Sequence, residues 1–107
     1  MAASPASDPI LQRFRAALDE SYGDRIERVV LYGSRARGDA RADSDYDIAL
    51  FLRDPASFWV EMGPLSEIET DILHDTGAVI SAKPFPAGSY RARTAFMDEI
   101  RRDGVDL

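Results

Sequence analysis

The stretch Val29–Leu52, VVLYGSRARGDARADSDYDIALFL, decides how this chain is read. An apolar run, Ile26–Tyr32, meets a Gly-Ser turn at Gly33-Ser34. After a polar loop, a second apolar run opens with Asp45-Tyr46-Asp47. Both runs are β-branched and aliphatic, too short for helices, and read as strands Ile26–Tyr32 and Asp45–Leu52. Between them, Gly33–Arg37 predicts a tight turn entering one or two helical turns, ended by Gly38, and Ala40–Ser44 a loop. Residues two apart in a strand share a face, so Asp45 and Asp47 project together. Tyr46, Ile48, Leu50 and Leu52 take the opposite face and supply core.

Outward from this stretch the chain alternates. Asp8-Pro9 is a helix start, Asp capping and Pro fitting the first helical position. Ile10, Leu11, Phe14, Ala17 and Leu18 recur at helical spacing to about Tyr22, and Gly23 ends the element. Phe58, Met62, Leu65, Ile68 and Ile72 predict a helix over Ser57–Asp75, kinked or split at Gly63-Pro64 because proline removes an internal hydrogen bond. Trp59, Phe58 and Met62 are expected in its core face. Ala78–Phe85 reads as a third strand stopped by Pro84 and Pro86. Ser89 is expected to cap a last helix through Arg102, with Phe96, Met97 and Ile100 buried and Gly104 as C-cap. The order α-β-α-β-α-β-α predicts an α/β (α+β) fold: one domain over 1–107, a small mixed β-sheet flanked by helices.

Composition narrows the function classes. The 107 residues carry a net charge of −6, which argues against extended nucleic-acid binding. No apolar run approaches the roughly 20 residues of a membrane helix, and MAASPASDP lacks the basic and apolar segments of a signal peptide. With no cysteine there is neither a disulfide framework nor a thiolate metal site, so the cytoplasm is the default compartment. All basic residues but Lys83 are arginines, and they cluster: Arg35, Arg37 and Arg41 beside the turn, Arg91 and Arg93, then Arg101 and Arg102. Local basic patches on an acidic chain suit a phosphate ligand or an acidic partner.

Two carboxylates as close as Asp45 and Asp47 repel, and a divalent cation resolves that cost. Mg²⁺ suits the pair, because it shares itself between one or two carboxylates and substrate phosphates. The turn supplies the other half of a phosphate site. Gly33 permits close approach of a ligand, Ser34 adds a hydroxyl, and the backbone N–H groups of Ser34 to Ala36 would point at an anion. Arg37 divides between phosphate contact and loop support; Arg35 reads as surface. Lys83 reads as an exposed edge residue and His74 as a dipole partner near a helix C-terminus. Phe85, Tyr90 and Phe96 suggest a partly exposed partner surface.

Gly33-Ser34, ten intervening residues and Asp45-Tyr46-Asp47 resemble the signature of the DNA polymerase β-type nucleotidyltransferase superfamily. The fuller pattern Gly33-Ser34-Arg35-Ala36-Arg37-Gly38 with Ser44-Asp45-Tyr46-Asp47 resembles the minimal nucleotidyltransferases, commonly antitoxins paired with a HEPN-domain toxin. Glu99–Leu107, EIRRDGVDL, also looks like that family's ending. The resemblance implies a polymerase β-like core, Gly33 and Ser34 on the β- and γ-phosphates of ATP, and one or two Mg²⁺ ions on Asp45 and Asp47. It further implies transfer of AMP to a hydroxyl, in the antitoxin branch a tyrosine of the HEPN toxin, within a hetero-oligomer.

The superfamily pattern implies a third carboxylate on a later strand, whereas Ala78–Phe85 has no acidic residue and the matching position falls near Ile80 or Ser81. Two readings follow: an adenylyltransferase, or the same fold neutralising its partner by binding alone. Transfer to a small molecule such as an aminoglycoside ranks last, since so short a chain has little to build an acceptor pocket.

Overall fold

The computed structural model describes residues 5–107; residues 1–4, part of the stretch read above for a signal peptide, lie outside it. Helix α1 (Pro9–Tyr22) starts where Asp8 accepts from the Ile10 N–H at 2.8 Å. Strand β1 (Ile26–Tyr32), the one-turn helix α2 (Ser34–Arg37) and strand β2 (Tyr46–Leu52) form the central unit. Helix α3 (Phe58–Thr76), strand β3 (Ile80–Pro86), helix α4 (Ala95–Asp103) and the short strand β4 (Val105–Asp106) complete the order, with 3₁₀ turns at Pro5–Ser7, Gly23–Arg25 and Ala87–Arg91.

The four strands make one mixed sheet in the order β3-β2-β1-β4. β1 is antiparallel to β2 and β4, and β2 is parallel to β3. Alternation along the strands feeds two apolar layers. On one face Val29, Leu31, Tyr46, Ile48, Leu50 and Leu52 pack against Leu11, Phe14 and Leu18 of α1 and Leu65 and Ile72 of α3. On the other, Val30, Tyr32, Ala49 and Phe51 pack against Met97 and Ile100 of α4. The core face expected for β2 is therefore the one found, and the mixed sheet flanked by helices is the predicted class.

Three local expectations need correction. Pro64 does not split α3, which runs unbroken from Phe58 to Thr76. Its missing N–H would have bonded the carbonyl of Val60, which is 61% exposed, so water can satisfy the freed group. Phe58 and Trp59 are not core: Trp59 is 80% exposed and stacks edge-on with Phe58 at 5.2 Å. The last helix starts five residues later than expected, capped by the Thr94 hydroxyl on Met97 N–H at 3.1 Å, and the Ser89 segment is a 3₁₀ turn. Phe85, Tyr90 and Phe96 are half-buried, matching the partial exposure expected, and they also close the α4-side layer through ring contacts with Phe51 and Tyr32.

The ends of the sheet carry two further findings. β3 continues through Pro84 and Pro86 instead of stopping at them. The Ala82 N–H turns away from β2 to Glu69 at 3.3 Å, and by period-two alternation the nitrogens of Pro84 and Pro86 lie on that same outer edge, where no ladder bond is lost. β4, absent from the expected order, pairs Val105 and Asp106 with Leu31 and Val30. Gly104 makes this return possible, since a Cβ there would collide with the Ile100 carbonyl and Val30 Cγ1. No helix among the described residues is long and apolar enough to cross a membrane.

Candidate active site

The site forms where β1 ends and β2 and β3 begin. Tyr32, the last residue of β1, pairs with Asp47, and Asp47 pairs on its other side with Ser81. The chain leaves Tyr32 through Gly33, at φ +75°, directly over the Asp47 side chain. A Cβ at position 33 would sit 2.5 Å from Asp47 Oδ2. Glycine is required here on two counts, the left-handed backbone and the shared space. Turn and carboxylate are thus set against each other at this end of the sheet.

Asp45 lies just outside β2, which begins at Tyr46, and is exposed; Asp47 is half-buried. Burial above all, and then the charge of Asp45, hold the Asp47 carboxyl above the usual carboxylate range, while Lys83 and Arg37 pull it back down. The two aspartates therefore do repel across this end of the sheet. Glu99 of α4 adds to the same rise, and it also raises the phenol of Tyr32 behind burial and Asp47. Lys83 is exposed, as expected, although its charge reaches Asp47.

Two arginines of the turn divide the work differently from the sequence reading. Arg35 is a loop clamp, not a free surface residue. Its Nε and Nη2 donate to the Ser44 carbonyl at 2.9 and 2.7 Å, and Nη2 reaches the Ala42 carbonyl at 3.2 Å. Its guanidinium also lies 3.9 Å from the Tyr46 ring centre. The Tyr46 hydroxyl in turn donates to Asp8 at 2.7 Å, and burial followed by that bond pushes its phenol up to about 12. Asp8, Tyr46 and Arg35 thus tie the start of α1 to the loop that delivers Asp45. Arg37 stays half-exposed, its Nε 3.4 Å from Asp39 and its Nη1 3.7 Å from Glu99.

The turn's backbone donors are partly spent. The Ala36 N–H bonds the Gly33 carbonyl at 3.1 Å, which removes it from the set expected to face an anion. Ser34 and Arg35, the first two residues of α2, have no acceptor inside the helix. Near the end of α3, Asp75 pairs with Arg13 at 2.7 Å, away from this site, and His74 is exposed beside it.

Gly33, Ser34, Arg37, Asp45 and Asp47 are therefore gathered at one end of the sheet, with Ser81 of β3 paired beside Asp47. Among the described residues no group of three or more His, Cys, Asp or Glu is placed to hold a metal ion. The donor set still fits a divalent cation shared with phosphate oxygens: two carboxylates that repel, beside a turn kept clear of a Cβ.

The family model described as Polymerase beta, Nucleotidyltransferase matches residues 17–85, from within α1 to β3. The chain belongs to this family. A "Putative protein adenylyltransferase" of Methanocaldococcus jannaschii, MJ0141, is 25% identical over 103 residues, covering 92% of this chain and 95% of its own. A second of the same description and organism, MJ0604, is 36% identical over 72 residues, covering 67% of this chain and 66% of its own. A crystal structure of a toxin-antitoxin with AMP-PNP shares the fold of this nucleotidyltransferase: TM-score 0.64 at 16% identity, over 89% of this chain and 69% of that one. The polymerase β-like core is thereby established, and a structure of a putative minimal nucleotidyltransferase shares the fold: TM-score 0.60 at 20% identity, over 90% of each chain. Glu99 and the clamp of Arg35 escaped the sequence reading. Helical spacing put Phe96 and Glu99 one turn apart, but nothing local showed that α4 packs against the turn.

Proposed function

We propose that this nucleotidyltransferase is a Mg²⁺-dependent protein adenylyltransferase. It moves AMP from ATP to a hydroxyl, a tyrosine of a partner HEPN-domain toxin, and so acts as an antitoxin in the cytoplasm. The observation that carries the reading is the contact of Gly33 with Asp47, which sets a phosphate-accommodating turn against a carboxylate of the Asp45–Asp47 pair. The protein adenylyltransferase description of two relatives supports the reaction, and a structural neighbour that is a toxin-antitoxin with AMP-PNP supports the setting.

In this reading Gly33 and Ser34 receive the β- and γ-phosphates, and the half-exposed Arg37 adds positive charge at their edge. Asp45 and Asp47 would hold the divalent ion, which supplies neutralisation of charge on the transferring group. Phosphoryl transfer depends chiefly on positioning and such neutralisation, so the protein's task is to fix the α-phosphate in line with the acceptor oxygen. The acceptor oxygen bonds to the α-phosphorus, pyrophosphate leaves, and the hydroxyl proton passes to solvent or a nearby base.

A second reading is favoured by one observation: Ser81, not an acid, stands opposite Asp47. The chain would then neutralise its partner by binding alone. The deciding experiment uses ATP labelled at the α- or the γ-phosphate, with the partner toxin and Mg²⁺. Adenylyl transfer predicts label on the toxin from the α-position only, lost in Asp45→Asn and Asp47→Asn. Neutralisation without label, indifferent to both substitutions, would establish the binding reading instead.

A further inference from the structure

One carboxylate reaches the Gly33–Ser34 turn from outside the Val29–Leu52 stretch. Phe96 of α4 packs edge-on against Tyr32 with ring centres 5.4 Å apart, and Tyr32 immediately precedes Gly33. Glu99 lies three residues on, on the same side of the helix. The helix has little freedom to shift: Gly104 is pressed against Val30, and the Leu107 N–H bonds the Val29 carbonyl at 2.9 Å. Glu99 Oε1 thereby comes 3.7 Å from Arg37 Nη1, while Asp39 Oδ2 lies 3.4 Å from Arg37 Nε. Arg37 and Glu99 are both 40% exposed at the side chain, so the pair lies at the surface and not in the core.

We propose that Glu99 is a positioning residue for nucleotide: it holds the Arg37 guanidinium at the mouth of the Gly33–Ser34 turn, where the phosphates of ATP arrive. The inference rests on the nucleotide-binding reading given above. An arginine side chain is long and costly to order, and Arg37 closes a helix of a single turn. Asp39 alone, two residues further on, would draw it toward the 39–44 loop. The second acid, on a separate and well-anchored helix, takes a different nitrogen of the same fork. Among the described residues Nη2 has no hydrogen-bond or ion-pair partner, and it is left to donate to an incoming oxyanion.

The test is calorimetric titration of the full chain with AMP-PNP and Mg²⁺, which reads binding without requiring transfer. Glu99→Ala is expected to weaken nucleotide binding about fivefold, the size of one half-exposed ion pair. Glu99→Gln keeps the side chain's size but removes its charge, and because the contact at 3.7 Å is an ion pair it is expected to lose binding nearly as Glu99→Ala does. Adding Arg37→Ala to Glu99→Ala should cost less than the two single losses multiplied, because one interaction cannot be removed twice. Asp98→Ala, on the same helix but paired with Arg101, controls for charge alone and is expected to bind like the parent protein. Unchanged or tighter binding in both Glu99 variants, or fully independent losses at 37 and 99, would overturn the proposal. If the parent protein binds no nucleotide, the nucleotide reading falls with it; if the parent binds and the Glu99 variants match it, only this inference fails.

Discussion

Gly33 and Asp47 compete for one point in space: a methyl group at position 33 would lie 2.5 Å from the Asp47 carboxylate. Gly33→Ala is therefore expected to do two things. It strains a backbone held at φ +75°, costing about 1–3 kcal/mol. It also pushes Asp47 from its place, and displacement of about 1 Å at a reacting centre costs about a hundredfold. Chemical denaturation and α-label transfer read the two effects separately. Native-like transfer in Gly33→Ala would sever the link between turn and carboxylate.

Arg35 and Arg37 should separate cleanly by substitution. Arg35→Ala removes charge-assisted bonds to two carbonyls of the 42–44 loop and the stacking on Tyr46, and is expected to cost about 1.5–3 kcal/mol. Arg37→Ala loses only half-exposed ion pairs and should leave stability within about 0.5 kcal/mol, while weakening AMP-PNP binding. Urea denaturation with calorimetry on both variants checks the contrast, and equal destabilisation by both would refute it.

Much of this arrangement was legible before the structure, for physical reasons that differ between elements. Gly33 and the aspartates fall in one stretch whose two strands announce themselves by local alternation, whereas the Tyr32–Asp47 pairing emerges only when those strands are set side by side. α4 illustrates the opposite case. Ser89 and Thr94 are both competent caps, and the choice fell to Thr94 because Tyr90 is committed to packing on Phe51 and the Tyr90 and Ala92 carbonyls to Arg101. Likewise, Pro64 was tolerated because its face is wet, and Pro84 because its nitrogen faces outward from the sheet. β4 depended on Gly104 fitting under Val30, a long-range contact with no local period.

Asp47 couples function to stability with a definite sign. Its folded-state pKa is raised above the ordinary 3.8, mainly by burial and secondly by Asp45, so ionisation works against the fold. The favourable contribution is complete below pH 3.8 and is lost as pH rises through the raised folded value. In EDTA at pH 7, Asp47→Asn is thus expected to melt at a higher temperature than the parent protein. The difference should shrink toward pH 3, where both residues are neutral. A lower melting temperature at pH 7 would contradict the assignment.

Ser81 offers a gain-of-function test. It pairs with Asp47 on β3, on the α4-facing side that carries Phe85 into the aromatic layer. Ser81→Asp would add a third carboxylate beside a pair that already repels. Without metal it should lower the melting temperature; with Mn²⁺ it should tighten ion binding about tenfold, as added ligand charge does. Electron paramagnetic resonance of bound Mn²⁺ reads the second effect, and unchanged affinity would place Ser81 outside the ion's reach.

The central claim is that the Asp45–Asp47 end of the sheet transfers AMP. Intact-mass spectrometry of the partner toxin, incubated with this protein, ATP and Mg²⁺, tests it most directly. A mass gain of one or more adenylyl groups, absent with Asp45→Asn and with Asp47→Asn, is the predicted result. An unmodified toxin held silent in a stable complex, or full modification by the doubly substituted protein, would contradict it.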